Sequence, residues 1–185
     1  MTDYLNERTT TTKEIFNGKM ISLQEKEVIL PNGNTANREI VKHPGAVAVL
    51  PITKEGDIIF VEQFRKAVEQ VLLEIPAGKI ELNEAKEKTA VRELEEEIGY
   101  TTEDLQYVTS FYTSPGFANE MIHLYYTKDL IKLNQRADLD EDEFLEIKKL
   151  SLQEAEKYMQ DVPINDVKTM YALLYCKLFG LDASC

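Results

Sequence analysis

Positive charge is scarce in this 185-residue chain: 21 Lys and Arg stand against 33 Asp and Glu, a formal net charge of −12. That balance argues against nucleic acid or an anionic membrane as a partner, since both require basic surface. Cysteine is scarcer still. Cys176 and Cys185 are two, and too late in the chain, for a disulfide framework, which points to a reducing cytoplasm. His43 and His123 are isolated, no His/Cys cluster has zinc spacing, and both histidines read as structural. No apolar run is long enough to span a bilayer, and the opening MTDYLNERTTTTKE lacks a hydrophobic signal region. There is no internal repeat, and low complexity is confined to four threonines. The length suits one good-sized core with an N-terminal elaboration.

What the chain does have is concentrated in Gly78–Tyr100, GKIELNEAKEKTAVRELEEEIGY. Ala90, Val91, Leu94 and Ile98 fall on one helical stripe, which predicts an amphipathic helix with that face buried. Asn83 is the expected N-cap, Glu84 and Glu87 fall in the first turn, and Gly99 stops the helix where positive φ is needed. Glu84/Lys88 and Arg92/Glu96 have the i,i+4 spacing of ion pairs, each worth about 0.2–0.5 kcal/mol on an isolated helix. A surface helix laced with such pairs accounts for part of the pattern. It does not account for Glu93, Glu95, Glu96 and Glu97, which crowd the negative end of the helix dipole, where like charges repel. A cation is expected there, and oxygen ligands of this kind suit a hard divalent ion, Mg²⁺ or Mn²⁺.

The flanking chain reads mostly as strands. Residues 1–12 are expected to be a polar, mobile arm. From Ile15 to Val41 the pattern is β, broken by a turn at Pro31-Asn32-Gly33-Asn34. AVAVLPIT reads as a central strand, Lys54-Glu55-Gly56-Asp57 as a turn, and IIFVEQFR as a half-buried strand ending at Arg65. After the helix come strands over 105–113 and 121–130, separated by the loop Ser114–Glu120. An acidic loop, Asp138–Glu143, precedes the strand FLEIKKL; Ser151 is the expected cap of a helix, and a last helix covers roughly 165–179. Strands first, a central helix, more strands and helices last predict an α+β chain, an α/β/α sandwich.

The literal pattern Gly-x5-Glu-x7-Arg-Glu-Leu-x-Glu-Glu-x-Gly-Tyr resembles the signature of the Nudix hydrolases, with Tyr100 at a position that is usually aliphatic. The resemblance implies the Nudix fold, a mixed sheet between helices, with a small N-terminal antiparallel sheet; the expected division is an arm and sheet over 1–42 and the hydrolase domain over 43–185. It implies metal ligands at the carbonyl of Ala77 and at Glu93 and Glu97, with Glu96 a further ligand through water. Arg92 would orient the glutamates, Glu84 would be structural, and Gly78 would let the backbone pass close to the site. EIPAGKIE, VEQFR and the proline loop resemble the ADP-sugar branch, especially enzymes acting on ADP-ribose. That likeness assigns Arg65, Ser114, Pro115, Gly116 and Glu120 to substrate; Arg38 is taken separately as a further substrate contact. In the acidic loop it implies Glu141 as base and Glu143 as ligand, with Asp140 and Glu146 as alternatives. The expected reaction is Mg²⁺-dependent hydrolysis of ADP-ribose to AMP and ribose 5-phosphate in a cytoplasmic homodimer. The rival substrates are ADP-mannose, GDP-mannose and NADH, and the rival class is a non-catalytic ADP-ribose-sensing module.

Overall fold

The structure, a computed structural model, describes residues 3–136, 144–161 and 166–182. The acidic loop therefore lies outside the described residues, with Asp140, Glu141 and Glu143 in it. The chain folds as two compact units. One takes the described residues up to Gly45 together with Tyr112–Met121; the other takes Ala46–Phe111 and the described residues from Ile122 onward.

The first unit is an antiparallel sheet of β1 (Arg8–Asn17), β2 (Ser22–Ile29) and β3 (Thr35–Lys42), in that order. The mobile arm expected over 1–12 is corrected here, because β1 begins at Arg8. Its β-branched threonines favour extended backbone, and it is held in register against β2, where Thr10 Oγ1 donates to Glu27 Oε1 at 2.8 Å. The turn between β2 and β3 forms where Pro31-Asn32-Gly33-Asn34 predicted it. Gly33 takes φ 86°, and Leu30 N–H donates to Asn34 O at 2.8 Å. In the same unit Val41 and the proline loop exchange backbone bonds, Val41 N–H to Phe117 O at 2.8 Å and Asn119 N–H to Val41 O at 3.1 Å.

The second unit contains β4 (Ala46–Pro51), β5 (Ile58–Arg65), β6 (Gln70–Glu74) and β7 (Ala77–Lys79), then helix α1 (Lys86–Glu93). After it come β8 (Tyr100–Thr101), β9 (Gln106–Tyr112), β10 (Met121–Thr127), β11 (Ile131–Lys132), β12 (Leu145–Leu150), and helices α2 (Leu152–Asp161) and α3 (Val167–Phe179). One sheet has the order β7-β4-β10-β9 and is mixed: β4 runs parallel to β10 and antiparallel to β7. A second has the order β12-β5-β6 and is antiparallel.

Strand alternation puts these sheets between two apolar layers. Ala48 and Leu50 of β4, with Ile58 and Phe60 of β5, pack with Leu152, Ala155, Ala172, Leu173 and Cys176 of α2 and α3. The intervening Val47, Val49, Ile59 and Val61 face Ala90, Leu94 and Ile98 of the signature helix. This is the α/β/α sandwich that the element order predicted. Val91 is half-buried and the other three stripe residues are buried, so the helix is fixed by its apolar face; Leu94→Ala would cost about 2–5 kcal/mol. Ser151 caps α2 as expected: Glu154 N–H donates to Ser151 Oγ at 3.2 Å while Ser151 N–H donates to Glu154 Oε2 at 2.8 Å.

Candidate active site

The start of α1 departs from the sequence expectation in two ways. Asn83 does not cap it: Asn83 sits in a left-handed turn at φ 64°, and Ala85 is the flanking residue, without a side-chain cap. Glu84, still in the loop, does not pair with Lys88 either, because the helical spacing does not apply ahead of the helix. Its carboxylate instead accepts from Glu81 N–H (3.1 Å), Thr89 Oγ1 (2.8 Å) and Arg92 Nε (3.0 Å). The Arg92 hydrogen bond, helped by Thr89 and Glu81, holds its pKa down at about 2. Glu84 is thus a strut between loop and helix.

Arg92 is the other end of that strut and does more than its i,i+4 pairing with Glu96 required. Its Nη1 lies 2.8 Å from Glu96 Oε2 and 2.8 Å from Glu93 Oε1, and its Nη2 donates to Lys79 O at 3.2 Å. The guanidinium pKa is raised, first by the bond to Glu84 and then by the charges of Glu93 and Glu96. One cation thereby gathers loop, helix and β7 around the glutamates.

Past Glu93 the helix widens into a π turn, Leu94–Ile98, closed by Gly99 at φ 73° with its N–H on Leu94 O. Sequence periodicity gave no sign of this widening. Arg136 Nε donates to the Glu96 carbonyl at 2.6 Å, supporting the widened turn from outside. Single π turns inside α-helices recur at functional sites because they redirect side chains. Here Glu97 is 1% exposed and Glu93 6%, an unusual degree of burial for two carboxylates.

Both acids meet β7, the strand ahead of the helix. Ala77 N–H donates to Glu97 Oε2 at 3.1 Å, so the Ala77 backbone is beside that carboxylate. Glu93 lies against Gly78, where a Cβ would come within 1.9 Å of Glu93 Oε1. Gln63 of β5, which the sequence reading did not single out, places Nε2 3.4 Å from Glu97 Oε1. Its own carbonyl oxygen is buried and has no hydrogen-bond partner among the described residues.

These observations test the fit of a divalent ion. Among the described residues, no three His, Cys, Asp or Glu side chains are gathered closely enough to hold a metal, and Arg92 bridges Glu93 and Glu96. The donors are nevertheless all oxygens, two are deeply buried carboxylates, and the orphaned Gln63 oxygen suits the water of a hydrated hard cation. The residues fit such an ion.

Arg65 ends β5 with its guanidinium bonded in bidentate fashion to Glu74, Nε–Oε1 2.7 Å and Nη2–Oε2 2.8 Å. Glu74 opens the EIPAGKIE run, whose pattern gives no sign of this pairing. Burial alone would raise its pKa, yet hydrogen bonds and charge from Arg65 and Lys168 pull it below the ordinary carboxylate value. The other expected substrate residues belong to the first unit. There, Arg38 pairs with Glu7 at 2.6 Å, and Glu120 Oε2 accepts from Thr113 Oγ1 at 2.6 Å. Ser114 O accepts from Phe117 N–H and Ala118 N–H, closing the turn that contains Pro115 and Gly116. Glu146 is exposed on β12 opposite Glu62, and Glu141 and Glu143 lie outside the described residues.

Comparison with known proteins agrees with this architecture. The NUDIX domain family matches residues 42–170. The chain is 51% identical over 174 residues to an ADP-ribose pyrophosphatase of Bacillus subtilis (strain 168), covering 94% of each. It is 52% identical over 172 residues to a methanol dehydrogenase activator of Bacillus methanolicus, covering 93% of each. A solved ADP compounds hydrolase superposes with a TM-score of 0.81 over 94% of both chains at 19% identity, a likeness of fold. With a family match over most of its length and relatives at 51% and 52% identity over more than nine-tenths of each chain, this chain belongs to the NUDIX family of hydrolases.

Proposed function

We propose that this chain hydrolyses the pyrophosphate of ADP-ribose, with Mg²⁺ as the working ion and Mn²⁺ as a substitute. The observation that carries the reading is the pair of buried carboxylates, Glu93 and Glu97, packed against the Ala77-Gly78 backbone. The choice of ADP-ribose is supported by similarity, over 94% of each chain, to the ADP-ribose pyrophosphatase of Bacillus subtilis. Ala77 O, Glu93 and Glu97 would hold the ion, with Glu96 acting through water and Glu143 completing the set. When bound, the ion supplies a lowered pKa for water and shields charge on the phosphates. Arg92, bonded to both Glu93 and Glu96, would hold those two carboxylates in place. Arg65, Arg38, Ser114, Pro115, Gly116 and Glu120 would contact substrate. Glu141 would take the proton of the attacking water as its oxygen bonds to one phosphorus and the bridging P–O bond breaks. The products are AMP and ribose 5-phosphate.

A panel of ADP-ribose, ADP-mannose, GDP-mannose and NADH, assayed with Mg²⁺ for released AMP or GMP, tests the substrate. ADP-ribose should give the highest kcat/KM; a tenfold or greater preference for GDP-mannose would overturn the choice. The reading also makes the chain a cytoplasmic homodimer with contacts through the 1–42 region, which sedimentation of wild type and a chain lacking that region would check.

A second reading rests on the 52% identity to the methanol dehydrogenase activator, namely that the chain acts on a dehydrogenase. Stimulation of a methanol dehydrogenase by a Glu97→Gln chain that no longer turns over ADP-ribose would carry it.

A further inference from the structure

The first turn of α3 is joined to the link between β6 and β7, at Ile75. Thr169 Oγ1 accepts from Ile75 N–H at 2.9 Å and donates to Asp166 Oδ2 at 2.5 Å, while Asp166 caps the helix through Thr169 N–H at 3.0 Å. Beside this clamp lies Lys168, whose ammonium pairs with Glu74 and, at 3.0 Å, with Asp166 Oδ1. The side chains of Lys168 and Glu74 are only 8% and 2% exposed. A lysine is seldom buried to this degree without a partner that needs it.

That partner also holds Arg65. Glu74 uses both carboxylate oxygens on Arg65 Nε and Nη2, and Oε2 is shared with Lys168. The Arg65 guanidinium is therefore fixed along one edge, while its side chain remains 44% exposed and feels the charge of Glu97. Arg65 can meet an anion with its remaining N–H groups only if the locked edge sets its direction.

We propose that Lys168 is a positioning residue that aims Arg65 at the substrate phosphates by pinning the shared carboxylate of Glu74. The proposal rests on the reading of Arg65 as a substrate contact. Without Lys168, the buried carboxylate retains one cation and is free to rotate with Arg65 towards solvent. The four charges Arg65, Glu74, Lys168 and Asp166 sum to zero, so the cluster can be buried as a unit. Removing one member unbalances it.

The test is a double-mutant cycle on ADP-ribose hydrolysis at saturating Mg²⁺, with wild type, Arg65→Ala, Lys168→Met and the double variant. Each single change should lower kcat/KM roughly tenfold or more, mainly through KM, as expected for a lost charged hydrogen bond. The double variant should match Arg65→Ala within about twofold, because Lys168 acts only through Arg65. Single effects that multiply in the double variant would overturn the proposal and leave the Arg65 reading standing. An Arg65→Ala chain with wild-type kcat/KM would remove the Arg65 reading, and the proposal with it. If Lys168→Met does not fold, judged by circular dichroism, Asp166→Asn takes its place in the same cycle. That change keeps a capping oxygen while removing the second anchor of Lys168, and the same two patterns decide.

Discussion

The carboxylate of Glu93 fills the space in front of Gly78. A Cβ built on that glycine would stand 1.9 Å from Glu93 Oε1 and 2.0 Å from Cδ. The glycine is therefore required by close approach. β7 and the helix can bring the Ala77-Gly78 backbone against Glu93 and Glu97 only because residue 78 has no side chain.

Gly78→Ala should consequently displace Glu93 without unfolding the protein, since the clash is with the end of a flexible side chain. If Glu93 is a ligand, the Mg²⁺ concentration for half-maximal rate should rise by about 10–100-fold, the scale seen when support of a metal ligand is lost. An unchanged Mg²⁺ titration would show that Glu93 does not touch the ion.

Glu97→Gln separates charge from shape at the most buried acid of the site. A glutamine oxygen can still accept from Ala77 N–H, so the fold should persist. In the metal-free protein the change should be neutral or slightly stabilising, because it relieves repulsion among Glu93, Glu96 and Glu97. Activity should collapse, and Mg²⁺ should raise the melting temperature of wild type more than that of the variant. Equal shifts would take Glu97 out of the site.

The sequence showed the central strands clearly because alternation and turn residues agree: β5 spans the residues of IIFVEQFR, and turns form at Gly33 and Gly56. The buried stripe of the signature helix was equally plain. What was hidden depends on partners distant in sequence. The π turn is supported by Arg136, 40 residues from Glu96 along the chain and in no periodic relation to it. Asn83 gave a capping signal that tertiary packing overrode, as Glu84 bonded forward to Thr89 and Arg92. Lys168 stood in a C-terminal run that looked unremarkable, and its importance came only from the distant Glu74.

Glu84 predicts a pH effect of defined sign. The Arg92 hydrogen bond lowers its folded pKa from an ordinary 4.5 to about 2. A carboxyl depressed in the folded state contributes stability that is present above the unfolded value and is lost as pH falls through the folded one. Melting temperatures of metal-free wild type should therefore fall between pH 4.5 and about 2 more steeply than those of Glu84→Gln, which should already be less stable at neutral pH. Other depressed carboxyls, Glu55, Glu62, Glu74 and Glu154, are present in both proteins, so the difference between the curves isolates Glu84. Parallel curves would mean that the Glu84–Arg92 strut carries no net stability.

The two acids assigned in the 138–143 loop make different demands on a metal titration. A general base moves a proton and holds no ion, so Glu141→Gln should lower kcat by about 10²–10⁴ while leaving the Mg²⁺ midpoint where it is in wild type. A ligand contributes to ion affinity, so Glu143→Gln should shift the midpoint upward, and added Mg²⁺ should restore part of the rate. Glu146 serves as the comparison: it is exposed on β12, and Glu146→Gln should leave both quantities near wild type. Rescue of Glu141→Gln by excess Mg²⁺, with no rescue of Glu143→Gln, would exchange the two roles. A loss confined to Glu146→Gln would move the base onto the strand, where its register opposite Glu62 would then have to be explained.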